Sequence, residues 1–447
     1  MKTVYLAAVA SNLAMMSYGL FFGWPSPSLP PLLQLGSHVH LTIEEVTWVT
    51  SLQTIGAAVG VVFSASIINV IGRKWTMLLT AVPGVISWLM IAFATTAWEL
   101  FVARFFCGLS SGNGFVSAMM YMGEISPANI RGTLTCMLLV STKFGTALEW
   151  TIGPFLSMRD LALVSLSMPI LFVVCMVWLP ESPYHLMRRG RHQEAMEILA
   201  QLRGTTDVSE EAGAIEKSVK IDLANDTGLW ELVSVPGNRK ALLVVLGLFI
   251  GQQWSGSMAI LSYAQLIFNA TGNDFEGKYV TMIMGAVQVA CTVFSTGVVD
   301  RYGRRALLMT SMIGTAVSTT LVGLFFYLQS ISVDVSGIVW LPATGTILYI
   351  VTYALGLAGL PFTMMSELFP TNVKALGSTI GIMCCNFAAF TVTLSYYRIA
   401  YYNGEHTAFW VFAAVSLLGI VFVYFYVPET KGKTLQEVQH QLHGRKV

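Results

Sequence analysis

Long apolar runs alternate with short polar breaks along the whole chain. Twelve runs approach or exceed the roughly 20 residues that a helix needs to cross a bilayer. They are residues 3–24, 46–70, 75–95, 98–122, 133–157, 160–179, 241–268, 278–299, 306–328, 337–365, 375–401 and 407–427. Lipid offers no hydrogen-bond partners to free backbone groups, so the spans are expected to be helical. The first run begins beside Met1 without a cleavage-type flank and is read as mature structure rather than a removed signal peptide. One long polar stretch, about 180–240, interrupts the series. Its pattern from His192 to Leu202 suggests short amphipathic helices at the membrane surface, serving either as a solvated linker or as a latch under the helices. The expected fold class is an all-α membrane protein with twelve transmembrane helices in two pseudo-repeated six-helix bundles. Residues 1–180 form the first bundle, 181–240 the linker, 241–428 the second bundle and 429–447 a tail.

Composition agrees: 55% of residues are hydrophobic and 11% charged, against roughly a quarter charged in soluble chains. A formal net charge of +1 gives no argument for nucleic acid. The six cysteines fall inside predicted spans, where thiols serve as small apolar fillers. No metal-ligand spacing, cofactor motif or nucleophile–base set rises above chance, so an enzyme is not expected. Basic residues mark the cytoplasmic side of membrane proteins. With the amino terminus inside, the inner segments hold most of the Lys and Arg, and the outer ones only Arg159, Lys278 and Arg398. Both termini are therefore expected in the cytoplasm, in an integral protein of the plasma membrane.

The halves repeat one another. Asn69-Val-Ile-Gly72-Arg73-Lys74 matches Asp300-Arg301-Tyr-Gly303-Arg304-Arg305. Glu124-Ile-Ser-Pro127-Ala-Asn129-Ile-Arg131 matches Glu367-Leu-Phe-Pro370-Thr-Asn372-Val-Lys374, and Pro180-Glu181-Ser182 matches Pro428-Glu429-Thr430. Each half thus places acids and bases at one end of neighbouring helices: Arg73, Glu124, Arg131 and Glu181 in one; Asp300, Arg304, Arg305, Glu367, Lys374 and Glu429 in the other. Partly desolvated charges need partners, and pairs that form in one conformation and break in another bias a two-state equilibrium. These residues are read as a cytoplasmic gate.

These motifs, with Arg104-Phe-Phe-Cys-Gly108, Gln252-Gln253-Trp-Ser255-Gly256, Pro180-Glu181-Ser182-Pro183 and Pro428 to Thr434, resemble the sugar-porter branch of the major facilitator superfamily over essentially the full chain. Phe22 to Pro27 and Gly153 to Ser157 are most similar to the insect facilitated trehalose transporters. The resemblance implies alternating access of two bundles around a central sugar site. It implies Gln252, Gln253, Gln288, Phe362 and Asn386 as substrate contacts, and Tyr263 as an outer-gate residue. Tandem glutamines supply both donors and acceptors for sugar hydroxyls, although a membrane glutamine also serves as an interhelical hydrogen bond.

Departures from the family pattern are informative. Leu139 stands where the family carries a fifth-helix glutamine, Met258 where it has a seventh-helix asparagine, and Pro361-Phe362 where it has Pro-Trp. Pro25 occupies the first-helix aspartate position of proton-coupled members, and the first span holds no carboxylate. Facilitated diffusion of trehalose or a hexose is the expected activity. The alternatives are proton symport using Glu149, or a sugar sensor that binds and barely transports. Lys143 lies near the middle of the fifth span, four residues beyond Leu139 and on its helix face. A charge at that depth costs at least about 2.5 kcal/mol unless it faces an interior cavity, so Lys143 is expected to replace the missing donor. Asn269-Ala-Thr271 is a candidate glycosylation sequon, while Asn225-Asp-Thr227 should stay unmodified inside. A sugar substrate and the lipid bilayer are the expected partners, and no cofactor is expected.

Overall fold

The computed structural model describes residues 2–34, 36–205, 207–224, 229–272, 277–299, 302–433 and 437. Asp300, Arg301, the Asn225–Thr227 sequon, Thr434, Arg445 and Lys446 lie outside them. Among the described residues the regular elements are helices. The first half contributes α1 (Lys2–Gly23), α2 (Pro25–Leu32), α3 (Ile43–Ile71), α4 (Arg73–Leu79), α5 (Ala81–Phe93), α6 (Ala97–Ile125), α7 (Arg131–Ile152) and α8 (Met158–Met176). Four short helices follow: α9 (Pro183–Arg188), α10 (His192–Arg203), α11 (Ser209–Ala224) and α12 (Leu229–Ser234). The second half contributes α13 (Pro236–Trp254), α14 (Ser257–Asn269), α15 (Gly277–Val299), α16 (Arg304–Ser330), α17 (Leu341–Leu355), α18 (Leu360–Leu368), α19 (Thr371–Asn403) and α20 (Glu405–Tyr426).

Ten helical stretches among the described residues are long and apolar enough to cross a membrane. α6 and α7, of 29 and 22 residues, complete the twelve predicted spans. They are long enough to cross but carry more polar residues, such as Thr142, Lys143 and Glu149 on α7. Their small residues allow close approach: a Cβ on Gly108 would stand 2.0 Å from the Gln53 carbonyl oxygen of α3.

Several expected continuous spans are broken. The first divides at Trp24, where Pro25 takes the first position of α2, a place that tolerates its missing N–H. The seventh divides at Ser255-Gly256, and Gly256 takes φ +102, a conformation that favours glycine. The tenth unwinds between α17 and α18 over residues 356–359, which frees the Leu357 and Ala358 carbonyls. Hydropathy could not reveal these interruptions, because the broken segments stay apolar on both sides.

The chain packs as two compact units. Unit 1 holds residues 1–22, 52–146 and 156–226; unit 2 holds residues 23–51, 147–155 and 227–447. In unit 1, Phe21 stacks on Trp88 at 4.8 Å. Unit 1 also contains α9–α11, which bury Leu186, Ala195, Leu199, Ala212 and Val219 against one another. Arg203 ties this group to α6 by donating to the Ile125 carbonyl at 2.8 Å and pairing with Glu211 at 2.6 Å. The Arg203 bond holds the Glu211 carboxyl below the ordinary value. The core of unit 2 is built on Val245, Leu248, Phe249, Leu308, Met312, Met364 and Leu368.

Candidate functional site: two charge clusters and a broken seventh span

Within unit 1, the Gly72-Arg73 turn opens α4 directly against the Pro180-Glu181-Ser182 turn. Gly72 has φ +100, and a Cβ there would stand 2.3 Å from Glu181 Oε2, so both conformation and contact require glycine. Glu181 Oε1 accepts from the backbone N–H groups of Arg73 at 2.9 Å, Lys74 at 3.0 Å and Ser182 at 2.8 Å. A helix amino terminus favours such a carboxylate. Arg73 is 1% exposed and bonds Glu124 at 2.9 Å. Its Nη1 also meets His185 Nδ1 at 3.1 Å. Ser182 closes the ring by donating to Glu124. Burial, then the neighbouring Arg73, Arg189, Arg188 and Arg191 charges, push the His185 pKa down to about 4. The imidazole is therefore neutral near pH 7 and free to accept from Arg73.

Unit 2 repeats the plan. Glu429 accepts from the backbone N–H groups of Arg304 at 3.0 Å, Arg305 at 3.1 Å, Thr430 at 3.1 Å and Lys431 at 3.0 Å. Burial works against its charge, but these four donors outweigh burial and hold its pKa below the ordinary carboxylate value. Arg304 pairs with Glu367 at 3.3 Å, and Thr430 donates to the same carboxylate. Arg305 instead donates to the Tyr424 carbonyl and lies over the Tyr424 ring. Two expected members stay apart from the acids. Arg131 donates to the Ser126 carbonyl at 3.3 Å, capping its own turn. Lys374 is exposed and makes no hydrogen bond or ion pair among the described residues. Asp300 is outside the described residues. The Ser182 and Thr430 hydroxyls were missed, although their matched places after Glu181 and Glu429 carried the signal.

The tandem glutamines sit at the seventh-span break and serve first as internal fasteners. Gln252 is 2% exposed and donates to the freed Leu357 carbonyl at 2.6 Å. Gln253 donates to Cys385 at 3.2 Å and accepts from Ser257 at 3.1 Å. Ser255 meets the Tyr349 hydroxyl at 3.2 Å. Two broken spans are thus laced together by amides. Gln288 is buried, with its side-chain oxygen lacking a partner among the described residues. Phe362 packs edge-on to Phe249 at 5.0 Å. Asn386 donates to the Ile382 carbonyl at 2.9 Å within its own helix.

Tyr263 on α14 is fully buried, donates to the Thr393 carbonyl at 3.1 Å, and stacks on Tyr397 at 5.4 Å. Tyr396 lies 5.2 Å from the same ring and donates to Glu405. Neither Tyr396, Tyr397 nor Glu405 stood out in the sequence, because no repeat or family motif marks them. Lys143 in unit 1 is half-buried and has no ion pair or hydrogen bond among the described residues. It stands off the face where α7 meets α1, at which Gly19 approaches the Thr142 carbonyl. Arg104 is 1% exposed and donates to the Phe21 carbonyl at 2.9 Å and to the Gln53 side-chain oxygen, both neutral acceptors. Asn269 ends α14 and is exposed, while Thr271 of its sequon is buried and donates to the Phe268 carbonyl at 2.7 Å.

Comparison with known proteins matches residues 7–442 to the family described as sugar (and other) transporter. A facilitated trehalose transporter of Polypedilum vanderplanki is 32% identical over 99% of this chain and 88% of its own length. One from Drosophila virilis is 33% identical over 99% of this chain, which spans 49% of that relative. An inward-open structure of the xylose transporter XylE from E. coli superposes with TM-score 0.82 at 21% identity, covering 98% of this chain and 99% of that one. That likeness establishes a shared fold of twelve helices in two bundles. The chain belongs to the sugar (and other) transporter family.

Proposed function

We propose that this protein is a facilitative sugar transporter, carrying trehalose or a hexose down its gradient by alternating access. The observation that carries the reading is the duplicated cluster: a Glu clasped by two N–H groups of a helix start, an Arg–Glu pair, and a hydroxyl bridging to the second Glu. Each is a compact, breakable lock at one end of its unit, as a two-state carrier needs. The names of the relatives support the sugar, and the first span supports the absence of coupling. Pro25 stands there where proton-coupled members carry an acid, and the span holds no carboxylate.

Both termini in the cytoplasm, a plasma-membrane location, bundles at 1–180 and 241–428, Gln252, Gln253, Gln288, Phe362, Asn386 and Lys143 as substrate contacts, and Tyr263 as an outer-gate residue belong to the same proposal. Uptake of a radiolabelled sugar panel into proteoliposomes tests it, with Lys143→Met run beside the wild type. An altered affinity or selectivity with unchanged thermal stability supports Lys143 as a contact; wild-type uptake in that variant removes it. One observation favours a second reading, a sensor that binds and barely transports: Gln252 and Gln253 already spend amide bonds inside the protein. Saturable sugar binding without uptake would select it.

A further inference from the structure

At the far end of α14 from the charge cluster, unit 2 holds an open pocket of about 360 Å³. Pro30 and Pro31 of α2, Gln34 just beyond it, Gln265, Phe268 and Asn269 of α14, and Gly277 and Lys278 at the start of α15 line it. Its volume falls at the lower end of the roughly 300–1,000 Å³ typical of small-molecule sites. Three amides from two separate chain segments converge on it, beside the apolar faces of two prolines and a phenylalanine. The Gln265 side-chain oxygen is buried and finds no hydrogen-bond partner among the described residues. A buried acceptor left unmade carries a desolvation penalty, so this oxygen favours a ligand that brings a donor. The walls are fastened to each other: the Gln265 N–H donates to Ser26 Oγ at 3.2 Å, joining α14 to α2.

The chemistry of the lining selects the ligand class. Side-chain amides both donate and accept, as hydroxyl groups do, and Phe268, Pro30 and Pro31 offer apolar surface to the C–H face of a ring. The one cationic side chain, Lys278, holds its ammonium over the Phe155 and Tyr279 rings at 5.6 and 5.2 Å. A neutral polyhydroxylated ring compound therefore fits better than an anion. We infer that this pocket is a second sugar-binding subsite, formed by Gln34, Gln265, Asn269 and Phe268, at which a sugar docks from the outer side before reaching the transport site. The inference rests on the sugar-transport reading and adds a location remote from the Gln252-Gln253 break. A glycan on Asn269 would fill the same space, so the subsite requires that Asn269 stay unmodified.

The test is protection from a membrane-impermeant thiol reagent applied outside intact cells that express Gln34→Cys, with His38→Cys, exposed and outside the lining, as the control. External trehalose or glucose should slow labelling of Gln34→Cys severalfold relative to isosmotic sodium chloride and leave His38→Cys unaffected. Adding Gln265→Ala should raise the half-protecting sugar concentration about fivefold, the effect of losing one hydrogen bond. Protection should persist with the same half-saturation in a Gln252→Leu background, which separates the subsite from the transport site. Loss of protection in that background, equal protection of His38→Cys, or no protection in a protein that takes up sugar would each overturn the subsite. A glycosidase-induced mobility shift abolished by Asn269→Gln would do the same. Absence of uptake of every sugar by the wild type would instead overturn the transport reading.

Discussion

In the cluster of unit 1 the Arg73 and Glu124 side chains are 1% and 15% exposed, and their closest approach is 2.9 Å. In the cluster of unit 2 Arg304 and Glu367 are 14% and 28% exposed, at 3.3 Å. The backbone plan is the same, yet water reaches one lock more than the other. Arg73 also has His185 as a second partner, whereas Lys433 stands four residues beyond Glu429, where His185 stands beyond Glu181. Desolvation sets the consequence. Breaking a buried pair strands a charge, at about 3–5 kcal/mol, and the cost falls toward the about 0–1 kcal/mol of surface pairs as water gains access. The drier lock should hold its unit together, and the wetter one should be the easier to open during transport.

The largest expected difference is between Glu124→Gln and Glu367→Gln. The first should lower stability by about 3 kcal/mol, because Arg73 keeps little access to water; the second should cost less, because water reaches Arg304 and Glu367 more readily, while slowing transport. Thermal unfolding in detergent together with turnover measures both, and equal destabilisation would erase the distinction. Next come the turn glycines. Gly72→Ala meets both a positive φ and the Glu181 carboxylate, and should cost about 1–3 kcal/mol. Gly303 has φ −68 and faces only Glu429 Oε2 at 2.6 Å, so Gly303→Ala should cost less.

Acidification gives a smaller effect with a definite order. His185 is held at about 4 in the fold, against an ordinary value near 6.5. Between those values the unfolded chain takes up a proton that the fold refuses, so stability falls as pH drops through that window. Glu429 is shifted down from 4.5, so its contribution persists above that value and is lost only as pH falls below it. The unit 1 cluster should therefore weaken first, and His185→Gln should remove the early phase of a pH-dependent unfolding series. The smallest effect is expected from Arg203→Gln. It should free α10 and α11 from the end of α6 and raise hydrogen exchange there, with about 1 kcal/mol lost overall.

Much of this was legible in the chain because the locks depend on charge spacing repeated between halves: Gly72-Arg73 with Gly303-Arg304, Glu124 with Glu367, Glu181 with Glu429. The twelve spans followed from apolar length, even where α7 carries Lys143 and Glu149. Pairing partners were harder to read. Arg131 has the spacing to reach Glu124, but the turn at Ser126 offers it a nearer carbonyl. Helix breaks were hidden because Gly256 and the 356–359 segment interrupt the backbone without interrupting hydropathy. The amides of Gln252 and Gln253 could be recognised as special, but not that the freed Leu357 carbonyl and the Cys385 thiol would engage them.

Uncoupled sugar carriage is tested most directly by the final distribution of radiolabelled trehalose across proteoliposomes, with glucose run in parallel, under an imposed inward proton gradient. The expected result is saturable entry that ends with equal concentrations inside and outside, unchanged when the gradient is collapsed. Accumulation above the external concentration that vanishes with the gradient, or no entry of either sugar, would contradict it.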